Sequence, residues 1–421
     1  MPFVPKKQAF NAHINEVVLG VGDKATAIGG QNVLPFHTFD AEIKNAPKIG
    51  VELTDLGMAE YTMPGEKAFY AGCTTVAEMA KRAETLEGAS FICLHLEGAD
   101  PNGLNKSVEE CVQLAKDVAD ATTLPLVIMG CKNIEKDTEL FNKISEALAG
   151  KNILVLSARD EDYKTVVASA GMAYGQKVGA ESAVDINLAK QLNTVITQMG
   201  FNAQSIVMNV GSAAAGYGYE YVASTLDRVK DAALKQADAM LEMPIMTPVS
   251  ADTWGVKEAV MSEEDMPEWG SQEERGIEME ITTAAAVLAG GSDAVILRHP
   301  EAVKTLAKMI DALMFGHDHI KMLCEFQEQI IAKCAKPKME IKLDVVPEEI
   351  KAEIDELAKA RLIEAVSIKL KLERYGKIDE ITDEMAALFE AREYASEKLK
   401  DKTVKQVRAY CTEIVANEVR R

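Results

Sequence analysis

The sequence predicts a closed (β/α)8 barrel, with an amino-terminal β-hairpin ahead of it and a helical extension behind it. Three observations carry that expectation. Eight short apolar runs, each suited to a strand buried on both faces, lie between residues 48 and 297, and helix-period sequence separates them. Eight such units within about 270 residues fit closure better than an open doubly wound sheet, the runner-up. No G-x-G-x-x-G follows the first run, which removes the commonest dinucleotide-binding pattern.

Arg275–Met314 shows one unit in full. Ile277, Ile281, Ala284, Ala285 and Leu288 share a helix face, and Gly290-Gly291 stops that helix. Ala294–Leu297 is a strand, and Pro300 opens the next helix where its missing N–H costs nothing. Arg298 and His299 are thereby placed at the strand's carboxyl end, the end at which such barrels build their binding sites.

In chain order, Glu16–Gly22 and Thr26–Gly30 read as a hairpin that plugs the barrel floor. Strands are expected at Lys48–Leu53, Phe91–Leu96, Leu126–Met129, Ile153–Ser157, Gln176–Ala180, Ile206–Asn209, Pro244–Thr247 and Ala294–Leu297. Ser107 and Glu110 have capping-box spacing, Asp137 reads as a helix start, and Asp185 as an N-cap. Beyond Met314 the pattern changes. Met339, Ile341, Leu343 and Val345 alternate like an exposed strand, and Pro347–Arg374 and Asp379–Arg420 read as charged amphipathic helices docking on a partner or on the barrel. The expected division is 1–40 for the hairpin cap, 41–320 for the barrel and 321–421 for the helical extension.

A net charge of −20 argues against nucleic acid and anionic membrane as partners. No apolar run approaches the roughly 20 residues of a membrane span, and MPFVPKKQAF has no signal-peptide core, so the chain is expected in the cytoplasm. The charge is uneven. Residues 338–421 hold 17 Lys and Arg against 19 Asp and Glu, whereas residues 1–337 hold 29 against 47, a shift that marks a boundary near Pro337. The 7 cysteines are scattered without cluster or zinc spacing, so an iron–sulfur cluster or structural zinc in this chain is not expected.

Two loops at the expected carboxyl face are unusual. Val210–Tyr219 is rich in glycine and small residues, which lets backbone N–H groups approach an anion or flat ring, or simply makes a tight turn. Val249–Glu274 is long and holds both tryptophans, Trp254 and Trp269, which suggests a large apolar contact with ligand or protein. The polar strand-end residues are Glu97, Asp100, Ser157, Arg159, Asn209, Arg298 and His299. One histidine among them is thin support for a metal hydrolase, and no G-x-S-x-G turn supports a serine hydrolase.

The segments ICLHLEGADPNG, VIMGCKNIEKD, DINLAKQLN, GYGYEY, EWGSQEERGI and LRHPEAV, in that order, resemble the small subunit of the corrinoid iron–sulfur protein, which in methanogenic archaea is the delta subunit of acetyl-CoA decarbonylase/synthase. The resemblance spans roughly Val17 to Met314. It implies a barrel like that of dihydropteroate synthase, paired as a heterodimer with a large (gamma) subunit that carries the iron–sulfur cluster and most of the cobamide site. A cobamide cofactor would sit between that subunit and this barrel's mouth. It would carry a methyl group between methyl-tetrahydropterin and acetyl-CoA synthase, in a complex that also holds carbon monoxide dehydrogenase subunits. The residues expected to touch the cobamide are Asn209, Gly211, Ser212, Gly216, Tyr217, Gly218, Arg298 and His299. No catalytic or metal-binding residue of its own is expected. The alternative is a barrel that binds methyl-tetrahydropterin and transfers the methyl by itself; a further role is to organise the complex through the helical extension.

Overall fold

Ten strands build the first part of the chain. The computed structural model describes residues 7–334, 336 and 345–419. β1 (Glu16–Leu19) and β2 (Thr26–Gly29) form an antiparallel hairpin. Eight parallel strands follow: β3 (Lys48–Thr54), β4 (Ala89–His95), β5 (Leu126–Met129), β6 (Leu154–Ala158), β7 (Lys177–Glu181), β8 (Ile206–Asn209), β9 (Met246–Pro248) and β10 (Ala294–Leu297). β3 to β8 pair in sequence order, and β10 pairs with both β3 and β9. A parallel bridge from Met208 to Ile245, just ahead of β9, completes the ring. The fold is therefore the expected (β/α)8 barrel. β9 begins two residues later than the sequence suggested and ends on Pro248, which has no N–H to continue the ladder.

Alternation along the strands sorts two apolar sets. Ile49, Val51 and Leu53 of β3 and Ile92 and Leu94 of β4 pack outward with the helices. Phe91, Cys93, Val127, Met129, Leu154, Val207, Met246 and Ile296 fill the interior, joined there by Val17, Leu19 and Ile28 of the hairpin. Gly50 is required by this packing, since a Cβ on it would lie 2.0 Å from the Phe91 ring. The Thr26 hydroxyl donates to the Ser90 carbonyl at 2.9 Å, and the Asn152 amide donates to the Val18 and Gly20 carbonyls, each at 2.9 Å. These bonds fasten the hairpin across the amino-terminal end of the strands.

Local signals position the helices. Ser107 and Glu110 form the reciprocal capping box, and the Asp185 carboxylate caps Asn187 and Leu188. Asp137 departs from expectation. Its helix begins at Ile134 with Asn133 as cap, and the buried Asp137 carboxylate turns back to accept from the Cys131 N–H at 2.6 Å. The last barrel helix, Pro300–Cys334, continues well past Met314, although its deepest buried contacts end at Ile310.

The chain divides into two compact units, Pro2–Cys334 and Ala335–Arg421. In the second, helices cover Glu348–Ile354, Ala360–Val366, Lys371–Glu390 and Glu397–Val419, with a π-helical turn joining the first two. The helix expected to run to Arg374 stops at Val366, where the Ser367 hydroxyl bonds the Glu364 carbonyl and Arg374 bonds that of Ile368. Ile354, Leu362, Ile381, Met385, Phe389, Val407 and Ile414 form a core belonging to this unit. The strand suggested by Met339, Ile341 and Leu343 lies outside the described residues, and Val345 is exposed coil.

Candidate functional site

Above the apolar interior, the carboxyl ends of the strands carry a polar layer. Glu52 of β3 and His95 of β4 face each other inside the wall, Oε1 to Nδ1 at 2.8 Å, with 4% and 10% of their side chains exposed. Burial works against the Glu52 charge, but the hydrogen bond and charge of His95 hold the carboxyl below its ordinary value. Burial likewise opposes a charged His95, but Glu52, helped by Glu97, holds the imidazole above its ordinary value. The two form a charge-assisted pair in the floor of the mouth. Burial holds the Glu97 carboxyl above the usual carboxylate range.

Beside this pair a cavity of about 250 Å³ opens over the ends of β5 to β9. Ser157, Glu181, Asn209 and Asp252 line it, with Lys132 and Arg159 at its edge. The Asn209 amide donates to the Ser157 hydroxyl at 3.0 Å and accepts from the Gly211 N–H at 3.1 Å. Each contact uses half of what that amide group offers, so donor and acceptor capacity remains for a ligand. Arg159 reaches Glu181 at 3.4 Å and Asp137 at 3.7 Å, which explains why Asp137 turns away from its helix. Burial raises the Asp252 carboxyl, against the pull of Lys132. The mouth thus offers acceptors, donors and both signs of charge within one small cavity.

Asn209, Gly211 and Ser212 line this cavity. Gly216, Tyr217 and Gly218 point elsewhere. They turn the chain into the helix Tyr219–Lys235, with both glycines at positive φ, and Tyr217 donates its hydroxyl to Glu258 at 2.6 Å. Open space surrounds a Cβ built on Gly216, so glycine is needed there for its backbone angle and not for close approach.

Arg298 and His299 lie on the other side of the β9 loop. The Arg298 guanidinium meets the buried Glu66 carboxylate at 3.0 Å, donates to the Glu60 carbonyl at 2.7 Å, and lies 4.8 Å from the Tyr61 ring centre. His299 meets Glu273 at 3.1 Å and stacks on Trp254 at 5.8 Å. Beneath them Glu280 accepts from both backbone N–H groups, at 2.6 and 3.1 Å. Burial pushes its carboxyl up to about 8, the two N–H donors notwithstanding. Arg298 also lines a separate rim cavity of about 220 Å³ with Glu60 and Trp254. Trp254 occupies the space that Gly276 leaves open, and Trp269 lies between Lys257 and Arg275, so the tryptophans of the long loop are engaged within the barrel unit.

Ser157, Arg159 and Asn209 are legible in the sequence as polar strand ends; Glu52, His95, Glu181, Lys132 and Asp252 are not. Glu52 and His95 continue the inward alternation set by Gly50 and by Phe91 and Cys93, which was the available signal. Among the described residues, no three His, Cys, Asp or Glu side chains converge to hold a metal ion. No helix among them is long and apolar enough to cross a membrane.

The solved structures to which this chain is similar include dihydropteroate synthases. That of Vibrio fischeri superposes with a TM-score of 0.45 at 11% identity, covering 71% of this chain and 98% of its own. The Xanthomonas albilineans enzyme with 4-aminobenzoic acid gives 0.44 at 13%, covering 72% and 98%. The barrel assignment rests on the strand order and not on these likenesses. Residues 349–421 match the family described as polyribonucleotide nucleotidyltransferase, RNA binding domain. The acetyl-CoA decarbonylase/synthase complex subunit delta of Archaeoglobus fulgidus is 33% identical over 325 residues, covering 74% of this chain and 71% of that one. Its counterpart in Methanocaldococcus jannaschii is 30% identical over 335 residues, covering 78% and 81%. With residues 16–314 matching the family itself, the chain belongs to the CO dehydrogenase/acetyl-CoA synthase delta subunits.

Proposed function

We propose that this chain is the barrel half of a two-subunit corrinoid protein in the cytoplasm. A large (gamma) subunit would hold most of the cobamide, and acetyl-CoA synthase and carbon monoxide dehydrogenase subunits would complete the complex. The observation that carries this reading is the polar mouth cavity of about 250 Å³. Drug-sized ligands fill pockets of roughly 300–1,000 Å³, and a corrin is larger than most, so this mouth fits one edge or arm of a cobamide and not the whole. Asn209 and Ser157 suit its amide arms, while Lys132 suits a phosphate. Bound there, the cobamide would supply a cobalt centre that accepts and donates a methyl group. The chain's own residues would orient it and exclude water from one face, with the Glu52–His95 pair, neutral in sum, fixing the floor of the mouth.

A second reading has specific support: the cavity's size and its mixed donors and acceptors also suit the bicyclic head of methyl-tetrahydropterin, with Asp252 and Asn209 reading its hydrogen-bonding edge. Calorimetric titration separates the two. The isolated chain, titrated with methyl-tetrahydropterin, should show no heat under the first reading and saturable 1:1 binding under the second. A chain that binds neither the pterin nor a cobamide-loaded large subunit overturns both. The helical unit is assigned to protein contact within the complex. Arg361, Arg392 and Arg408 are each tied to a carboxylate, of Glu384, Glu353 and Asp383, which leaves those cations poorly placed for a phosphate backbone.

A further inference from the structure

One corner of the mouth cavity holds hydrogen-bond donors without acceptors. Asn209 and Ser157 are only 6% and 3% exposed there. The Asn209 carbonyl oxygen is committed to the Gly211 N–H at 3.1 Å, which fixes the orientation of the amide and turns its nitrogen on Ser157. The Ser157 oxygen therefore accepts, at 3.0 Å, and its own proton must point away from Asn209. Among the described residues nothing accepts that proton, and the second N–H of the amide is also unused. A buried donor without an acceptor is costly, and an oxygen of a ligand would remove the cost.

Lys132 brings a charge to the same cavity. It stands just past the end of β5 with φ at 67°, a conformation that side chains other than asparagine and aspartate rarely adopt. The turn is held by Asp137, which accepts from the Cys131 N–H at 2.6 Å and leaves no room for a Cβ on Gly130. The other cations of the mouth are engaged. Arg159 is shared between Glu181 and Asp137, Arg298 is held by Glu66 and Glu60, and Lys106 by Asp55. Lys132 makes no ion pair among the described residues. Asp252, from the β9 side, feels its charge without pairing with it, and burial pushes that carboxyl towards its neutral form.

We propose that Lys132, Ser157 and Asn209 form an oxyanion subsite within the mouth. One ligand oxygen takes the Ser157 proton and the free Asn209 N–H, and another meets the Lys132 ammonium. The inference rests on the mouth being the ligand site, and adds the chemical class of the group that enters over β5, β6 and β8. An amide arm would satisfy Ser157 and Asn209 alone; only an anion also answers the charge of Lys132. Both ligands considered above can supply one. A cobamide has a phosphodiester in its nucleotide loop, and a methyl-tetrahydropterin with a glutamate tail has carboxylates.

Inorganic phosphate is the probe. The full-length chain is briefly acetylated with acetic anhydride in rising phosphate, against sodium chloride at matched ionic strength, and peptide mass spectrometry reads the rate at each lysine. Acetylation of Lys132 should slow about fivefold when phosphate is at four times its dissociation constant, with Lys151 at the floor unchanged. Ser157→Ala should raise that dissociation constant about tenfold. Equal rates in phosphate and chloride overturn the subsite, and protection that Ser157→Ala leaves intact overturns the three-residue site. Neither result depends on the large subunit. Calorimetry with Lys132→Asn then finds the source, since asparagine tolerates the left-handed turn and removes the charge. A loss of about tenfold or more for the cobamide-loaded large subunit, absent when that subunit carries cobinamide, which lacks the phosphodiester, assigns the anion to the cobamide. The same loss for the tailed pterin, absent for a tail-less one, assigns it to the carboxylate. Wild-type affinity for both ligands overturns the assignment even where phosphate protects. A wild-type chain that binds neither ends the reading of the mouth given above, while protection of Lys132 by phosphate still decides the subsite.

Discussion

Glu66 is fully buried, and its carboxylate meets Arg298 at 3.0 Å. Replacing Arg298 by alanine strands that charge, so urea denaturation should show a loss of about 3–5 kcal/mol, whatever the mouth binds. The neighbouring Glu280 makes stability depend on pH. A carboxyl raised to about 8 by burial holds its proton more tightly folded than unfolded. Its contribution is complete below the ordinary value of 4.5 and is lost as pH rises through about 8. Urea midpoints at pH 5, 6.5 and 8 should therefore fall more steeply for the wild type than for Glu280→Gln. Parallel slopes would show that this carboxyl does not titrate in that window. The Glu52–His95 pair works in the opposite sense for its acid member. Glu52, held low, contributes above 4.5 and loses its contribution as pH falls; His95, held high, contributes below 6.5 and loses its contribution as pH rises through its raised value. In Glu52→Gln, burial acts on His95 with its main opponent gone, and an NMR titration should find the imidazole pKa lowered.

At the scale of elements, the Phe91 ring of β4 packs directly over Gly50 of β3. Gly50→Ala should cost about 1–3 kcal/mol by overpacking, and Phe91→Leu in the same chain should recover part of it, as a double-mutant cycle would measure. Much of this level was legible in the sequence. β5 and β10 stand where their four-residue apolar runs end against proline, glycine or charged residues, and the Ser107–Glu110 box forms as its spacing implies. Partners distant in sequence were not legible. Glu60 and Glu66 reach Arg298 from a segment with no periodic signal, and Asp137 answers to Arg159 across the mouth, not to its own helix. Glu52 and His95 were hidden for another reason. In strands buried on both faces, an inward carboxylate looks like an interruption until closure of the ring gives it a partner.

At the scale of the molecule, the two compact units have separate cores, one of them a few helices around Phe389. Calorimetry should resolve two transitions, and residues 1–334 expressed alone should retain the larger one at the same temperature to within a few degrees. A single transition that shifts on truncation would instead mean that the cores share their stability. Residues 338–421 are near charge balance and the barrel is strongly acidic, so salt should move the barrel's transition more than that of the helical unit.

The hairpin across the floor has a kinetic consequence. With Val17, Leu19 and Ile28 filling the lower end, the barrel is a cul-de-sac, entered and left by the mouth alone among the described residues. Two visitors that need the same doorway must queue. If pterin and cobamide-loaded partner both use it, each should weaken the other's apparent affinity in proportion to its own concentration, as rivals do, and neither could slip past through a rear exit.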